Sequence, residues 1–75
     1  QIADIALKKV ADPNVNLAFP AVNYLKQAMH HDKLSVYILS YLKNSFENNE
    51  LYSNLFDELN QEKELFKEFS RYDSN

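Results

Sequence analysis

The amino-acid sequence predicts a small all-α protein, a bundle of four helices. Apolar residues recur at intervals of three and four along most of the chain, which is the period of an amphipathic helix. Short polar interruptions rich in Asn, Asp and Pro separate these stretches. We expect helices over about 2–11, 17–31, 33–47 and 50–72. They would form a single helical domain over 1–75, which could be a piece of a longer protein.

Two residue types are absent, and each absence excludes kinds of site. Phosphate-binding loops and tight hairpin turns depend on Gly because it adopts positive φ freely, and this chain of 75 residues has no Gly. The chain also has no Cys, which excludes disulfides, thiolate catalysis and Cys-based zinc sites. No apolar run approaches the ~18 residues of a membrane span. We expect an intracellular, cytoplasmic protein by default.

The net charge of −3 is unevenly distributed along the chain. Residues 1–43 carry +2, whereas residues 44–75 carry −5. An acidic half repels phosphate backbones, and the lysines of the first half are scattered over three predicted helices, so we expect no nucleic-acid partner.

The first predicted helix is short and ends at a proline turn. Its apolar face is Ile2, Ala3, Ala6 and Val10, with Ile5 and Leu7 on the flanks. Asp12-Pro13-Asn14 should end it, because Pro13 lacks an N–H and disfavours helical backbone at the preceding residue.

The second predicted helix contains Pro20, which allows two interpretations of its start. If Asn16 is the N-cap, Pro20 is the fourth helical residue and removes about one intrahelical hydrogen bond. If Phe19 is the cap, Pro20 takes the favoured first position and residues 13–18 form a separate turn. The second interpretation is preferred on helix-start statistics.

The third predicted helix is the most apolar stretch of the chain, with Asp32 as its expected N-cap. One face carries most of its large residues, whereas Val36, Leu39 and Phe46 lie well outside that face. That face consists of Leu34, Ile38, Tyr41, Leu42 and Ser45, with Tyr37 at its edge. A helix that is apolar on nearly all sides should be buried on more than one of them.

The fourth predicted helix is the longest. Six apolar residues share its inner line: Leu51, Tyr52, Leu55, Leu59, Phe66 and Phe69. Glu62 and Lys63 interrupt this line, so we expect one continuous helix whose second half is packed less densely. A break at Asn60-Gln61 is the alternative.

The first two predicted helices resemble one unit of a HEAT repeat. Ala11-Asp12-Pro13-Asn14-Val15 looks like the Asp-containing turn of that unit, followed by Ala21, Val22 and Leu25. The resemblance covers some 25 residues, Pro20 departs from the usual pattern, and no second copy follows at the expected spacing. The resemblance implies a helical repeat segment of a scaffold as one alternative.

No group of residues in the sequence indicates catalysis, a metal site or a cofactor. His30 and His31 diverge by about 100° on a helix, whereas shared metal ligation favours i,i+4 spacing, so a pH-sensitive helix end is the better interpretation. The carboxylates of the fourth helix have no accompanying nucleophile or oxyanion donor. The serines lack a Gly-flanked elbow.

Four apolar residues do not fit the inner faces of the third and fourth helices: Val36, Leu39, Phe46 and Phe56. Either the bundle wraps around the third helix and buries them, or they form an exposed patch that receives a partner helix or a second copy of the chain. We therefore expect a non-catalytic interaction module that docks a protein through these side chains. The other alternative is a small acidic immunity or inhibitor-type protein whose acidic segment, 47–68, docks on a toxin or enzyme.

Overall fold

A computed structural model describes residues 2–11, 15–45 and 50–73, the side chains of 15–17 and 72–73 excepted. These residues form four α-helices and no strand, which confirms the predicted all-α bundle. The helices are α1 (Ile2–Lys9), α2 (Val15–Ala28), α3 (Asp32–Asn44) and α4 (Glu50–Asp73). None of them is long and apolar enough to cross a lipid bilayer.

The start of α2 contradicts the preferred interpretation of Pro20. The helix begins at Val15, so Pro20 is its sixth residue and Phe19 is not its N-cap. Pro20 has no N–H to donate to the carbonyl four residues earlier, which leaves one gap in the hydrogen bonds of the helix. The buried residues Ala21 and Leu25 follow directly, and their packing holds the helix together across this gap. The predicted stop at Asp12-Pro13-Asn14 lies outside the described residues.

The start of α3 corrects a second prediction. The N-cap is His31, with φ −117° and ψ 121° and no hydrogen bond from its side chain, and Asp32 is the first helical residue. Asp32 in the first turn still favours the helix, because its charge complements the positive end of the helix dipole. The main-chain N–H of Ser35 donates to the carbonyl of His31 at 2.9 Å and closes the first turn.

The four helices associate as two hairpins. α1 packs closely on α2, α3 packs closely on α4, and α2 joins the two hairpins by touching both α3 and α4. The core lies where the three longer helices meet α1. Its most completely buried apolar side chains are Leu7, Leu25, Met29, Ile38, Leu42 and Leu59.

The buried face of α1 is rotated from the predicted one. Ala3, Ala6 and Val10 are buried as expected, but Leu7 is fully buried and Ile2 is 66% exposed. The prediction that Ile2 belongs to the inner face is therefore wrong. Five residues turn a helix by about 140° beyond one full turn, so the face that buries Leu7 leaves Ile2 directed towards solvent.

The second half of α4 is packed less densely than the first half. A helix of 24 residues is about 36 Å long, whereas the 13 residues of α3 span about 20 Å. Among the side chains of α4 that the structure describes, Leu59 is the last fully buried one, and Leu65, Phe66 and Phe69 beyond it are exposed. The radius of gyration of 12.7 Å exceeds the ~11 Å of a spherical chain of this length. The predicted continuous helix with a sparsely packed second half is confirmed.

Candidate functional site

An open depression of about 230 Å³ lies between α3 and α4 on the molecular surface. Its apolar floor consists of Val36 and Leu39 from α3 and Phe56 from α4. Lys43, Lys63 and Ser40 complete its lining.

The helical period of α3 explains why this face points outwards. Asp32, Val36, Leu39 and Lys43 follow one another at intervals of four, three and four, so they share one side of the helix. The neighbouring side carries Ser35, Ile38 and Leu42, all of which are buried. Val36 is consequently 55% exposed, and Leu39 is half-buried at the edge of the core.

A second depression continues along the same two helices. Asp32, Phe66, Lys67, Ser70 and Arg71 line it. On α4, Phe56, Lys63, Lys67 and Ser70 follow at intervals of seven, four and three, so they form one side of that helix. We refer to the two depressions together as the α3–α4 seam.

The α3–α4 seam contains three of the four residues predicted to bind a partner. Val36, Leu39 and Phe56 line one depression although Phe56 is 17 residues from Leu39 in the chain. Phe46 lies outside the described residues. The bundle covers Leu39 and Phe56 in part and leaves Val36 largely exposed. Leu39 and Phe56 are therefore partly buried around α3, as one interpretation of the sequence expected, and Val36 is exposed, as the other expected.

The side of α4 that faces α2 carries paired charges. Lys26 Nζ lies 3.0 Å from Glu58 Oε1, and His30 Nε2 lies 3.2 Å from Glu62 Oε2. The imidazole of His30 also stacks on the ring of Phe66, with centroids 4.2 Å apart and planes 13° apart. Sequence reasoning missed the contact between His30 and Glu62 because 32 residues of chain separate them. Two carboxylates of the acidic segment are thus directed towards α2.

Two tyrosines link distant helices. The hydroxyl of Tyr37 in α3 donates a hydrogen bond to Asp4 in α1, and this bond to a carboxylate raises the pKa of Tyr37 above its ordinary value. The hydroxyl of Tyr52 in α4 donates to the carbonyl of Leu7. Burial raises the pKa of Tyr52, and the neighbouring Tyr41 contributes to the same shift.

No cluster of three His, Cys, Asp or Glu residues within the described ranges could hold a metal ion. The hydroxyls of Ser35 and Ser45 donate to the main-chain carbonyls of Asp32 and Tyr41 within their own helix. These serines therefore act in local helix structure.

Comparison of the chain with protein-family models, with curated proteins and with solved structures found no match. The fold and the seam define a class of architecture. It is a small all-α bundle with an open apolar depression between α3 and α4.

Proposed function

We propose that this protein is a non-catalytic interaction module that binds another protein by burying apolar side chains of α3 and α4. The observation that carries the proposal is the exposure of Val36 beside the half-buried Leu39 and Phe56, in one depression. An aliphatic side chain lies here in water next to further apolar surface. A partner that covers this surface lowers the free energy, because apolar surface is removed from water.

The composition of the seam supports the same proposal. Interfaces combine an apolar centre, where most of the binding energy is gained, with a polar rim that remains in contact with water. Here Val36, Leu39 and Phe56 form the centre, and Lys43 and Lys63 form the rim. The depression runs between two helices, which is the geometry used when a groove receives a partner helix.

The two alternatives that the sequence allowed, an acidic inhibitor-type protein and a helical repeat segment of a scaffold, stay predictions. An acidic docking surface would have to use carboxylates other than Glu58 and Glu62, or displace Lys26 and His30 from these two. A repeat segment of a scaffold would be compatible with the pairing of α1 with α2 and of α3 with α4. No observation on the described residues favours either over the seam.

Selection of peptides from a displayed helical library on the folded protein tests the proposal. Selected peptides should shift the amide NMR signals of the seam, with the largest changes around Val36, Leu39 and Phe56. Val36→Asp should weaken their binding about tenfold or more, because it places a charge in the apolar centre.

Ile5→Asp is the matched control, because Ile5 is an equally exposed aliphatic residue on α1. It should leave the affinity of the peptides unchanged within about twofold. Amide shifts located elsewhere, or full binding by a folded Val36→Asp variant, would refute the proposal. Light scattering of both variants across protein concentration shows whether the partner is a second copy.

A further inference from the structure

We infer that the partner segment bound by the α3–α4 seam is an acidic amphipathic helix. This inference rests on the proposed function and adds the chemistry of the partner.

The seam is positive although the chain as a whole is acidic. The net charge is −3, with eight Lys and Arg residues in total. Four of these eight cations line the two depressions of the seam, together with the single acid Asp32. The four are Lys43, Lys63, Lys67 and Arg71.

The cations lie on both sides of the apolar floor. Lys43 comes from α3, and Lys63 and Lys67 come from α4 at i,i+4 spacing. The ion pairs of the described residues involve Lys26, His30 and Arg71, and neither Lys43 nor Lys63 takes part in one. Arg71 lies 3.6 Å from Glu68, so its charge is partly balanced within α4. Lys43 and Lys63 therefore supply the positive rim closest to the apolar floor.

Two acids of α4 are directed away from this rim. Glu58 and Glu62 are one helical turn apart and pair with Lys26 and His30 on the side of α2. These two carboxylates therefore lie towards α2, whereas Lys63 and Lys67 lie along the seam. The four basic side chains and one acidic side chain that line the two depressions give the seam a local charge opposite in sign to the net charge, and such a charge favours a negatively charged partner.

The apolar floor determines which kind of anion fits. Val36, Leu39 and Phe56 are covered only if the partner brings apolar side chains between its carboxylates. A helix with apolar residues at i, i+3, i+4 and i+7 and with Glu or Asp beside them has both groups in the required places. A nucleic acid strand would satisfy the lysines and leave Val36 in water.

Two fluorescent peptides of about 18 residues test the inference, a length of five helical turns. Both have the same leucine stripe and differ only in their flanking residues, which are Glu in one and Lys in the other. The acidic peptide should bind about tenfold more tightly at low salt. The test is demanding, because the net charge of the protein by itself favours the basic peptide.

Charge reversal at the rim provides the specific variant. Lys43→Glu combined with Lys63→Glu should reverse the preference between the two peptides. Lys8→Glu combined with Lys9→Glu makes the same change of net charge on α1 and should keep the wild-type preference. The preference should shrink at about 0.5 M salt, because screening then limits the attraction between charges to a few ångströms.

The outcomes separate this inference from the proposed function. Equal binding of both peptides, weakened in both by Val36→Asp, overturns the inference and supports the proposed function. Failure of both peptides to bind below about 1 mM also overturns the inference, while the library selection still decides the proposed function. A dimer that Val36→Asp dissociates would identify a second copy as the occupant and overturn the inference alone. An oligothymidylate that binds as tightly as the acidic peptide, with no effect of Val36→Asp, overturns both.

Discussion

The hydroxyl of Tyr52 donates a hydrogen bond of 3.1 Å to the main-chain carbonyl of Leu7, across 45 residues of chain. It connects the first helix to the last one and occupies a carbonyl near the C-terminal end of α1. The ring of Tyr52 also meets that of Tyr41 edge-on, with centroids 6.1 Å apart. One side chain therefore links α1, α3 and α4.

Tyr52→Phe should lower the free energy of unfolding by about 1 kcal/mol at neutral pH, because the hydroxyl is lost and the Leu7 carbonyl loses a partner. The pKa of Tyr52 is raised by burial, so the folded state favours the neutral phenol. Its contribution is complete below the ordinary tyrosine pKa of about 10 and is lost as the pH rises through the higher folded pKa. Urea denaturation between pH 7 and pH 11 should show a smaller alkaline loss of stability in the variant. Parallel curves for the two proteins would contradict this prediction.

Asp4→Asn should lower the pKa of Tyr37 towards its ordinary value. The carboxylate of Asp4 accepts the hydrogen of the neutral phenol and repels the phenolate, and both effects raise the pKa of Tyr37 in the wild type. The pKa is measured by NMR titration of the ring carbon that bears the hydroxyl. Asp57→Asn, a loss of an exposed carboxylate on α4, should leave this pKa unchanged. An identical pKa in the wild type and in Asp4→Asn would refute the role of the hydrogen bond.

Leu59→Ala should destabilise the protein by about 2–5 kcal/mol, because it removes a fully buried side chain and leaves a cavity in the core. Leu65→Ala, six residues further along α4, should cost less than about 1 kcal/mol, because Leu65 is 45% exposed. Chemical denaturation of both variants measures the difference. Equal losses would show that the second half of α4 is packed as tightly as the first.

The stacking of His30 on Phe66 should appear as a coupling free energy of about 0.5–1.5 kcal/mol in a double-mutant cycle with alanine at both positions. Phe69 is 63% exposed and serves as the control partner. Substitutions of His30 and Phe69 should be additive within about 0.5 kcal/mol. A coupling of the same size in both cycles would rule out a specific contact between the two rings.

Pro20→Ala should raise the thermal stability. Pro is about 3 kcal/mol less favourable than Ala inside a helix, and part of this gain is offset because Pro also restricts the unfolded chain. We expect a net gain of about 1–2 kcal/mol, measured by circular dichroism during heating. Asn23→Ala in the same helix should change stability by less than about 1 kcal/mol, since Asn23 is exposed and only propensity differs. A loss of stability on Pro20→Ala would mean that the ring of Pro20 makes a contact that Ala cannot replace.

The boundaries of α2 and α3 show where local signals were insufficient. Helix-start statistics favoured Phe19 and Asp32 as caps, yet α2 begins at Val15 and α3 is capped by His31. In α2, the burial of Ala21 and Leu25 against other helices outweighs the hydrogen bond that Pro20 cannot make. Such packing depends on partners that are distant in sequence, so no local pattern could have indicated it.

Three apolar residues of the candidate site, Val36, Leu39 and Phe56, were named from the sequence, but their arrangement could not be. The helical period alone places Val36 and Leu39 outside the inner face of α3. It does not show that Phe56 meets them, or that Lys43 and Lys63 flank all three, because these contacts arise only when α3 and α4 pair.

The amino-acid sequence by itself determined that this protein is all-α with four helices, because hydrophobic period and the absence of Gly are properties of neighbouring residues. Only the tertiary structure decided which parts of each apolar face are covered. Leu59 and Phe69 belong to one stripe of α4, yet Leu59 is buried and Phe69 is 63% exposed, since the neighbouring helices cover one of these side chains and not the other. Burial depends on where neighbouring helices begin and end, and that is a property of the whole assembled chain.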